Sequence, residues 1–205
     1  LLQHLLSGHL PPIEYQLDSK PDRRPVIILS DAMWQPAPGP HGFGRMAWMV
    51  WFPVGDIGGE LLYASAEADT SVLRWSNDLK PKQSFIVFLE VLALAAPYFS
   101  PDMAARLRGR DVIHFADNTS ANAGVVKGVS PSPDCDRVIG NLHFRWAELR
   151  ANVWVTYVAS DANLSDDPSR RSSDLPDDTL EGMGARKVPS VLPDLRSKVR
   201  SQSEI

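Results

Sequence analysis

Four acidic residues lie in settings where an ionised carboxylate is costly. Asp31 and Asp117 each end a short apolar run, Glu90 lies inside a strongly apolar helical stretch, and Asp166 lies within residues 163–170. A carboxylate directly after a buried strand, or inside an apolar helix, loses its hydration unless something compensates the charge. One shared divalent metal site would compensate several of these residues at once. The four positions therefore predict metal-dependent hydrolysis of phosphodiesters.

Carboxylates in this number favour Mg²⁺, with Mn²⁺ as a substitute. Mg²⁺ takes hard oxygen ligands, usually a few carboxylates, waters and substrate phosphate oxygens. Two such ions about 3.5–4 Å apart activate a water and stabilise the leaving oxygen of an in-line displacement. We expect Asp31 and Asp117 at the ends of neighbouring central strands, Glu90 facing them from a packed helix, and Asp166 closing the site. Any one of these Asp residues alone is more often a strand-end turn or a helix cap, so the prediction depends on the whole set.

Composition sets limits on the class of protein. The 205 residues are 43% hydrophobic, which suits one domain with tails. A net charge of −4 argues against a generic basic nucleic-acid coat, but not against a nuclease whose acidic site reaches phosphate through cations. The single Cys135 excludes an internal disulfide framework and favours an intracellular, reducing setting. No apolar stretch approaches the roughly 20 residues of a membrane span, so we expect no membrane partner.

Hydrophobic periodicity predicts strands first and then alternating helices and strands. The predicted strands cover 26–34, 44–52, 61–66, 111–116 and 152–158, and the predicted helices cover 82–96, 118–127, 134–149 and 164–170. Pro97 is expected to end the first helix, and a Gly58-Gly59 turn to precede the third strand. This order predicts an α/β fold with a mixed sheet, in which an antiparallel meander is followed by parallel strands. Residues 1–25 are expected to be a lead-in from an upstream polypeptide, 26–170 the domain, and 171–205 a flexible tail or linker.

Four short motifs in this order resemble the ribonuclease H domain attached to reverse transcriptases of retroelements. The resemblance covers about residues 26–170. The motifs are Ser30-Asp31-Ala32, Gln83 with Glu90-x-Leu-Ala-Leu, Phe115-Ala-Asp117-Asn118-x-x-Ala121, and Asn163-x-x-Asp166-x-Pro-Ser-Arg170. The family has a ribonuclease H-like fold, a mixed five-stranded sheet flanked by helices on both sides.

The resemblance implies a metal-dependent endonuclease that cuts the RNA strand of RNA–DNA hybrids during reverse transcription. Its catalytic and metal-binding quartet would be Asp31, Glu90, Asp117 and Asp166, holding two Mg²⁺ ions. The family implies that Asp31 bridges both ions, that Asp117 and Glu90 contact the ion nearer the nucleophile, and that Asp166 binds there more loosely. Asp167 is the rival for the fourth place, with Asp161 more distant. Asp166 is preferred because it follows Asn163 by three residues, as in the family pattern.

Recognition of a hybrid requires contacts to 2′-OH groups of the RNA and to phosphates of the DNA. Asn118, Thr119 and Ser120 follow the third motif's strand and could supply hydrogen-bond donors, although capping of the next helix is the alternative for all three. Lys127, Arg45 and Arg74 could contact phosphates, or could be ordinary solvated surface charges. Trp75 could stack on a sugar or base, or could be a core or hinge residue. The resemblance also implies an upstream reverse transcriptase domain as a partner.

Three other functions remain open at this stage. One is a catalytically inactive ribonuclease H-like module that serves interdomain packing or template binding. Its weakness is that buried carboxylates without a metal would destabilise the fold. A second is a 3′–5′ exonuclease, which usually needs an acid two residues after the first one, where this chain has Met33. A third is a strand-exchange or integration nuclease, against which the final Asp-x-Pro-Ser-Arg motif argues.

Overall fold

The computed structural model describes residues 24–35, 43–54, 58–68, 84–170 and 178–190. Most of the lead-in, the proline-rich loop after residue 35, Arg74, Trp75 and the end of the predicted tail lie outside the described residues.

A six-stranded mixed sheet forms the centre of the fold. The strands are β1 (Val26–Gln35), β2 (Phe43–Val54), β3 (Gly58–Ala68), β4 (Asp111–Ala116), β5 (Asn152–Tyr157) and β6 (Arg186–Lys187). They lie in the order β5-β4-β1-β2-β3-β6. The first three strands pair antiparallel, whereas β4 and β5 run parallel to β1 and β6 runs parallel to β3.

The predicted mixed sheet flanked by helices is confirmed, but the predicted number of five strands is wrong. The sixth strand, β6, is only two residues long and pairs with Leu62 and Tyr63 at the open edge of β3. Backbone groups at a sheet edge accept such a strand whatever its side chains are, so no apolar pattern marks it in the sequence.

The second and third strands are longer than predicted and meet in a close packing contact. Gly58 and Gly59 do not form a turn before β3 but are its first residues, and Gly59 pairs with Pro53. A Cβ atom at Gly59 would lie 1.9 Å from Nε1 of Trp51. Gly59 therefore permits the indole ring to lie directly on the neighbouring strand, which explains a glycine inside a strand.

Helices cover both faces of the sheet. On the face that carries Val26 and Ile28, the large apolar core also contains buried residues from four helices, and the first of these helices packs directly on β1 and β2. Two short helices lie later in the chain, after a single 3₁₀ turn at Ser160–Ala162. The helices are α1 (Ser84–Phe99), α2 (Pro101–Leu107), α3 (Thr119–Lys127), α4 (Pro133–Leu149), α5 (Asp166–Arg170) and α6 (Asp178–Gly182).

The prediction that Pro97 ends the first helix is wrong. Pro97 lies inside α1, which continues to Phe99, and the N–H of Ser100 still donates to the carbonyl of Ala96 (3.1 Å). Proline removes one helical hydrogen bond, at a cost of about 3 kcal/mol. The next residue, Tyr98, is fully buried, and its burial favours continuation of the helix. The following helix, α2, was not predicted.

A second, smaller core lies on the opposite face of the sheet. Leu29 pairs with Met49, and Met49 with Tyr63, so these three side chains share one face. Leu180 of α6 and the nearby Ala185 pack against them. Because β1 is covered on both faces, it reads in the sequence as a continuous apolar run rather than an alternating one.

Among the described residues, no single helix has the length and apolarity to cross a membrane. The bent pair Phe85–Phe99 and Pro101–Leu107, whose axes meet at 73°, meets the criterion by length and composition only. Most of the α1 residues are buried in the core of the fold.

Candidate metal centre

The two predicted strand carboxylates lie side by side at one end of the parallel ladder. Ser30 of β1 pairs with Ala116, the last residue of β4. Asp31 and Asp117 directly follow these two residues in the chain, so the register places them at the same level. Asp31 does not end its strand as expected, because β1 continues to Gln35 and Asp31 pairs with Ala47 of β2. It lies instead at the position where the parallel pairing stops.

Glu90 completes a cluster of three carboxylates from its position on α1. Ala32 lies beyond the last residue of β1 that pairs with β4, and its backbone N–H donates a hydrogen bond to the Glu90 carboxylate. Asp31, Glu90 and Asp117 each contribute one oxygen to a group in which all three oxygens lie within 4.8 Å of one another. Asp31 and Glu90 are each only 4% exposed. The structure thus brings together three of the four predicted acids.

A positive charge would stabilise the ionised carboxylates of this cluster. Burial raises the pKa of Asp31 to about 7; its hydrogen bond with Ser169 opposes this rise in part, and the charges of Asp117 and Asp166 add to it. Burial, followed by the charges of Asp31 and Asp117, raises the pKa of Glu90 to about 9. Both shifts have the sign expected for carboxylates that are buried and crowded together.

A further observation fits a metal ion at this position. Within the part of the chain that the structure describes, Oε2 of Glu90 is buried and has no hydrogen-bond partner. An unpaired buried carboxylate oxygen is costly, and native proteins rarely leave one without a compensating group. A hard divalent cation would bind three carboxylate oxygens at this spacing and satisfy the unpaired one.

Asp166 lies beside the cluster and is paired with an arginine. Arg170 lies four residues further along α5. Its guanidinium contacts both oxygens of the Asp166 carboxylate, each at 2.7 Å. Asp166 is nevertheless close enough to raise the pKa values of both Asp31 and Glu90. Its rival Asp167 has its Oδ2 atom 3.5 Å from the hydroxyl oxygen of Thr179 on α6, and Asp161 is exposed in the 3₁₀ turn.

Sequence reasoning missed how the segment around α5 is tied to β1. Nδ2 of Asn163 donates to the carbonyl of Ser30 (3.1 Å), and the hydroxyl of Ser169 donates to the Asp31 carboxylate. Oδ1 of Asn163 accepts from the hydroxyl of Ser165 (2.6 Å). These residues belong to the Asn163–Arg170 motif, which was the available signal, although the motif alone does not reveal which residues of β1 they contact.

The predicted substrate contacts are arranged along α3. Oδ1 of Asn118 caps this helix by accepting from the backbone N–H groups of Ser120 and Ala121 (3.1 and 3.0 Å). Thr119 and Ser120 are exposed beside Asp117, and the exposed Lys127 lies at the other end of the helix, about 12 Å away. Substrate contact by these four residues stays a prediction, with Asn118 serving a structural role through its oxygen.

Arg45, another predicted phosphate contact, is engaged within the fold. Its Nη1 donates to the carbonyl of Arg170 (2.9 Å), and its Nε lies 3.4 Å from the Glu67 carboxylate. Arg45 thereby connects β2 to the end of α5.

A buried polar chain beneath the cluster was also not predicted. His114 of β4 is fully buried, with Nε2 2.9 Å from the hydroxyl of Ser30 and Nδ1 3.0 Å from the hydroxyl of Tyr98. Burial lowers the pKa of His114 to about 3, so the imidazole is neutral. A neutral imidazole has one donor and one acceptor nitrogen, which suits a bridge between two hydroxyls. These hydrogen bonds connect α1 to β4, and β4 to Ser30, the residue of β1 directly before Asp31.

Comparison with known proteins gives similarity to solved structures alone. No family model and no curated protein matches this chain. The ribonuclease H1 of the halophilic archaeon Halobacterium salinarum is 16% identical over 69% of this chain and 91% of that chain, with a TM-score of 0.47. A foamy viral protease-reverse transcriptase in complex with double-stranded DNA is 13% identical over 80% of this chain and 98% of that chain, with a TM-score of 0.47.

A structure of the foamy viral protease-reverse transcriptase in complex with an RNA/DNA hybrid is also similar. It is 11% identical over 80% of this chain and 24% of that chain, with a TM-score of 0.45. Because the identities are low and these TM-scores are below 0.5, we infer function from the geometry of the site in this chain.

Proposed function

We propose that this chain is a metal-dependent endonuclease that hydrolyses the RNA strand of RNA–DNA hybrids during reverse transcription of a retroelement. The observation that carries the proposal is the convergence of Asp31 on β1, Glu90 on α1 and Asp117 directly after β4, with one oxygen of each within 4.8 Å of the others. Two of the three are buried, and one oxygen of Glu90 is unpaired among the described residues. An acidic cluster built this way costs stability unless it binds a cation.

The proposed cofactor is Mg²⁺, with Mn²⁺ as a substitute. Bound divalent ions would supply an activated water and neutralise charge on the leaving oxygen. The residues of this chain hold and orient those ions: Asp31 and Asp117 from adjacent strand positions, and Glu90 from the helix that packs on the same strands. Asp166 is the proposed fourth carboxylate, since it already acts on the pKa values of Asp31 and Glu90 from the neighbouring α5.

Hybrid binding is proposed along α3, which begins directly after Asp117. The exposed hydroxyls of Thr119 and Ser120 and the amide of Asn118 lie next to the acidic cluster and can donate or accept hydrogen bonds with sugar hydroxyls. Lys127 lies about 12 Å away along the helix axis, a spacing that suits a phosphate one or two nucleotides from the cleavage position. The proposed macromolecular partners are the hybrid itself and an upstream reverse transcriptase domain in the same polypeptide. The proposed location is intracellular.

The test is a cleavage assay on a hybrid with one labelled strand. With Mg²⁺ or Mn²⁺, we expect the wild-type protein to cut labelled RNA in the hybrid and to spare labelled DNA. Asp117→Asn should abolish cutting while the protein stays folded. The matched control is Asp102→Asn, the same change at an exposed residue of α2 outside the cluster, which should cut as the wild type does.

Two outcomes would contradict the proposal. Equal cutting by wild type and Asp117→Asn would show that the acidic cluster is not the catalytic site. A wild type that cuts no hybrid, even after it is extended by its upstream sequence, would favour the alternative function of an inactive packing or template-binding module.

A further inference from the structure

We infer that Ser169 and Asn163 are positioning residues for the metal centre, because they fix the Asp31 carboxylate and the backbone that carries it. This inference rests on the proposed metal-dependent function and deepens it. Neither residue belongs to the acidic cluster, and both lie more than 130 positions from Asp31 along the chain.

Ser169 acts directly on the carboxylate. Its side chain is fully buried, and its hydroxyl reaches two acceptors, Oδ2 of Asp31 and the backbone carbonyl of Asp166 (2.8 Å). A hydroxyl has one hydrogen to donate, and a hydrogen bond to an ionised carboxylate is stronger than one to a neutral carbonyl. When Asp31 is ionised, Ser169 therefore donates to Oδ2 and fixes the rotation of the carboxylate. The remaining lone pairs of Asp31 stay available to a cation.

Asn163 acts on the backbone one residue earlier. Its Nδ2 donates to the carbonyl of Ser30, and its Oδ1 accepts from both the backbone N–H (3.3 Å) and the hydroxyl (2.6 Å) of Ser165. The bonds from Ser165 fix which end of the amide faces Ser30. Asn163, Ser165 and Ser30 are all buried, so water does not compete for these bonds.

These contacts also explain why a short helix keeps its place. With five residues, α5 is far below the length at which a helix is stable by itself. It is anchored to β1 through Asn163 and Ser169, and to β2 through the bond from Arg45 to the carbonyl of Arg170. The same anchors bring Asp166 to the cluster. The one segment therefore orients Asp31 and supplies the proposed fourth carboxylate.

Hydrogen bonds to the outer side of a ligating carboxylate set its orientation and tune the affinity of a metal site. Removing such a partner typically costs about 10- to 100-fold in metal affinity or activity. The inference therefore predicts a change in metal binding itself, and not only in the rate of cleavage.

The experiment measures Mn²⁺ binding by calorimetry on the whole chain, together with thermal unfolding without metal. We expect Ser169→Ala to weaken Mn²⁺ binding about tenfold or more, and Asn163→Ala to weaken it in the same direction. Ser169→Cys keeps the shape of the side chain but donates weakly, so it should also weaken binding while the packing is preserved. The matched comparison is Ser165→Ala, which removes another fully buried hydroxyl from the same segment without touching Asp31. Its effect should be smaller than that of Ser169→Ala, because the backbone N–H of Ser165 still donates to Oδ1 of Asn163 and Ser169 still donates to Asp31.

The outcomes separate this inference from the proposed function. Wild-type affinity in both Ser169 variants, with metal binding and cleavage intact in the wild type, would overturn the inference and leave the function standing. Equal weakening by Ser165→Ala and Ser169→Ala would also overturn it, since a loosened segment would then be the cause. A wild type that neither binds Mn²⁺ nor cleaves hybrid would overturn the function and the inference together.

Discussion

Replacing Glu90 by glutamine should stabilise the metal-free protein while destroying its metal site. Burial and the charges of Asp31 and Asp117 raise the pKa of Glu90 from 4.5 to about 9. Between these two values the folded protein holds a proton that the unfolded chain has lost, so the stability of the wild type falls as the pH rises. Glutamine is neutral in both states and removes this pH-dependent loss. Its carbonyl oxygen can still accept the hydrogen bond from the N–H of Ala32.

The magnitude follows from the distance between pH 7 and the ordinary pKa. For each pH unit above the ordinary pKa of 4.5, the proton that only the folded state holds lowers the free energy of unfolding by about 1.4 kcal/mol. At pH 7 the wild type is therefore destabilised by about 3 kcal/mol through Glu90. At pH 5 the same loss is below about 1 kcal/mol. The advantage of Glu90→Gln should therefore grow as the pH rises from 5 to 7.

The assay is urea unfolding of both proteins at pH 5 and pH 7 with a chelator present, followed by the same measurement with Mg²⁺. Mg²⁺ should stabilise the wild type and not Glu90→Gln. The control is Glu148→Gln, an exposed residue paired with Arg145 at the end of α4, which should change the free energy of unfolding by less than about 0.5 kcal/mol. A Glu90→Gln protein that is less stable than the wild type at pH 7, or whose advantage over the wild type is the same at pH 5 and pH 7, would refute the crowding of charge at this site.

Three further predictions concern the residues around the cluster. Mg²⁺ at a hundred times its dissociation constant should stabilise the wild type against thermal unfolding by about 3 kcal/mol and should leave the stability of Asp117→Asn unchanged. Equal stabilisation of both proteins would show that the ion binds elsewhere. Tyr98→Phe removes the hydroxyl that is hydrogen-bonded to Nδ1 of the buried His114. It should lower the free energy of unfolding in urea by about 1–3 kcal/mol and leave the Mn²⁺ affinity unchanged. A neutral or stabilising result would show that this hydrogen bond does not contribute to stability. Asp166→Asn should slow hybrid cleavage more than Asp167→Asn does. It should change the free energy of unfolding by less than about 1 kcal/mol, because the ion pair of Asp166 with Arg170 is exposed to solvent. A greater loss of cleavage rate in Asp167→Asn would reverse the choice of the fourth carboxylate.

The sequence carries enough information to predict the central part of the site. Asp31 and Asp117 follow apolar β-branched runs, and parallel strands bring such positions to one end of a sheet. Glu90 lies in a stretch that is apolar on all sides, which is typical of a buried helix and makes a carboxylate there exceptional. These local patterns predicted three residues that the structure places within 4.8 Å of one another.

Other features depend on contacts that no local pattern reveals. The two residues of β6 have no apolar signature, since they contact β3 through backbone pairing and through the ion pair of Arg186 with Glu60. Pro97 normally ends a helix, but burial of Tyr98 outweighs the lost hydrogen bond. The bonds from Asn163 and Ser169 to β1 join segments more than 130 residues apart, so their partners become visible only in the folded chain.

The most direct test is a crystal structure of the protein soaked in Mn²⁺, with anomalous scattering measured to locate the ion. We predict an anomalous peak with oxygens of Asp31, Glu90 and Asp117 all about 2–2.5 Å from it. The proposed metal centre would be contradicted if no anomalous peak lay beside these three side chains at saturating Mn²⁺, or if the peak were coordinated by other residues.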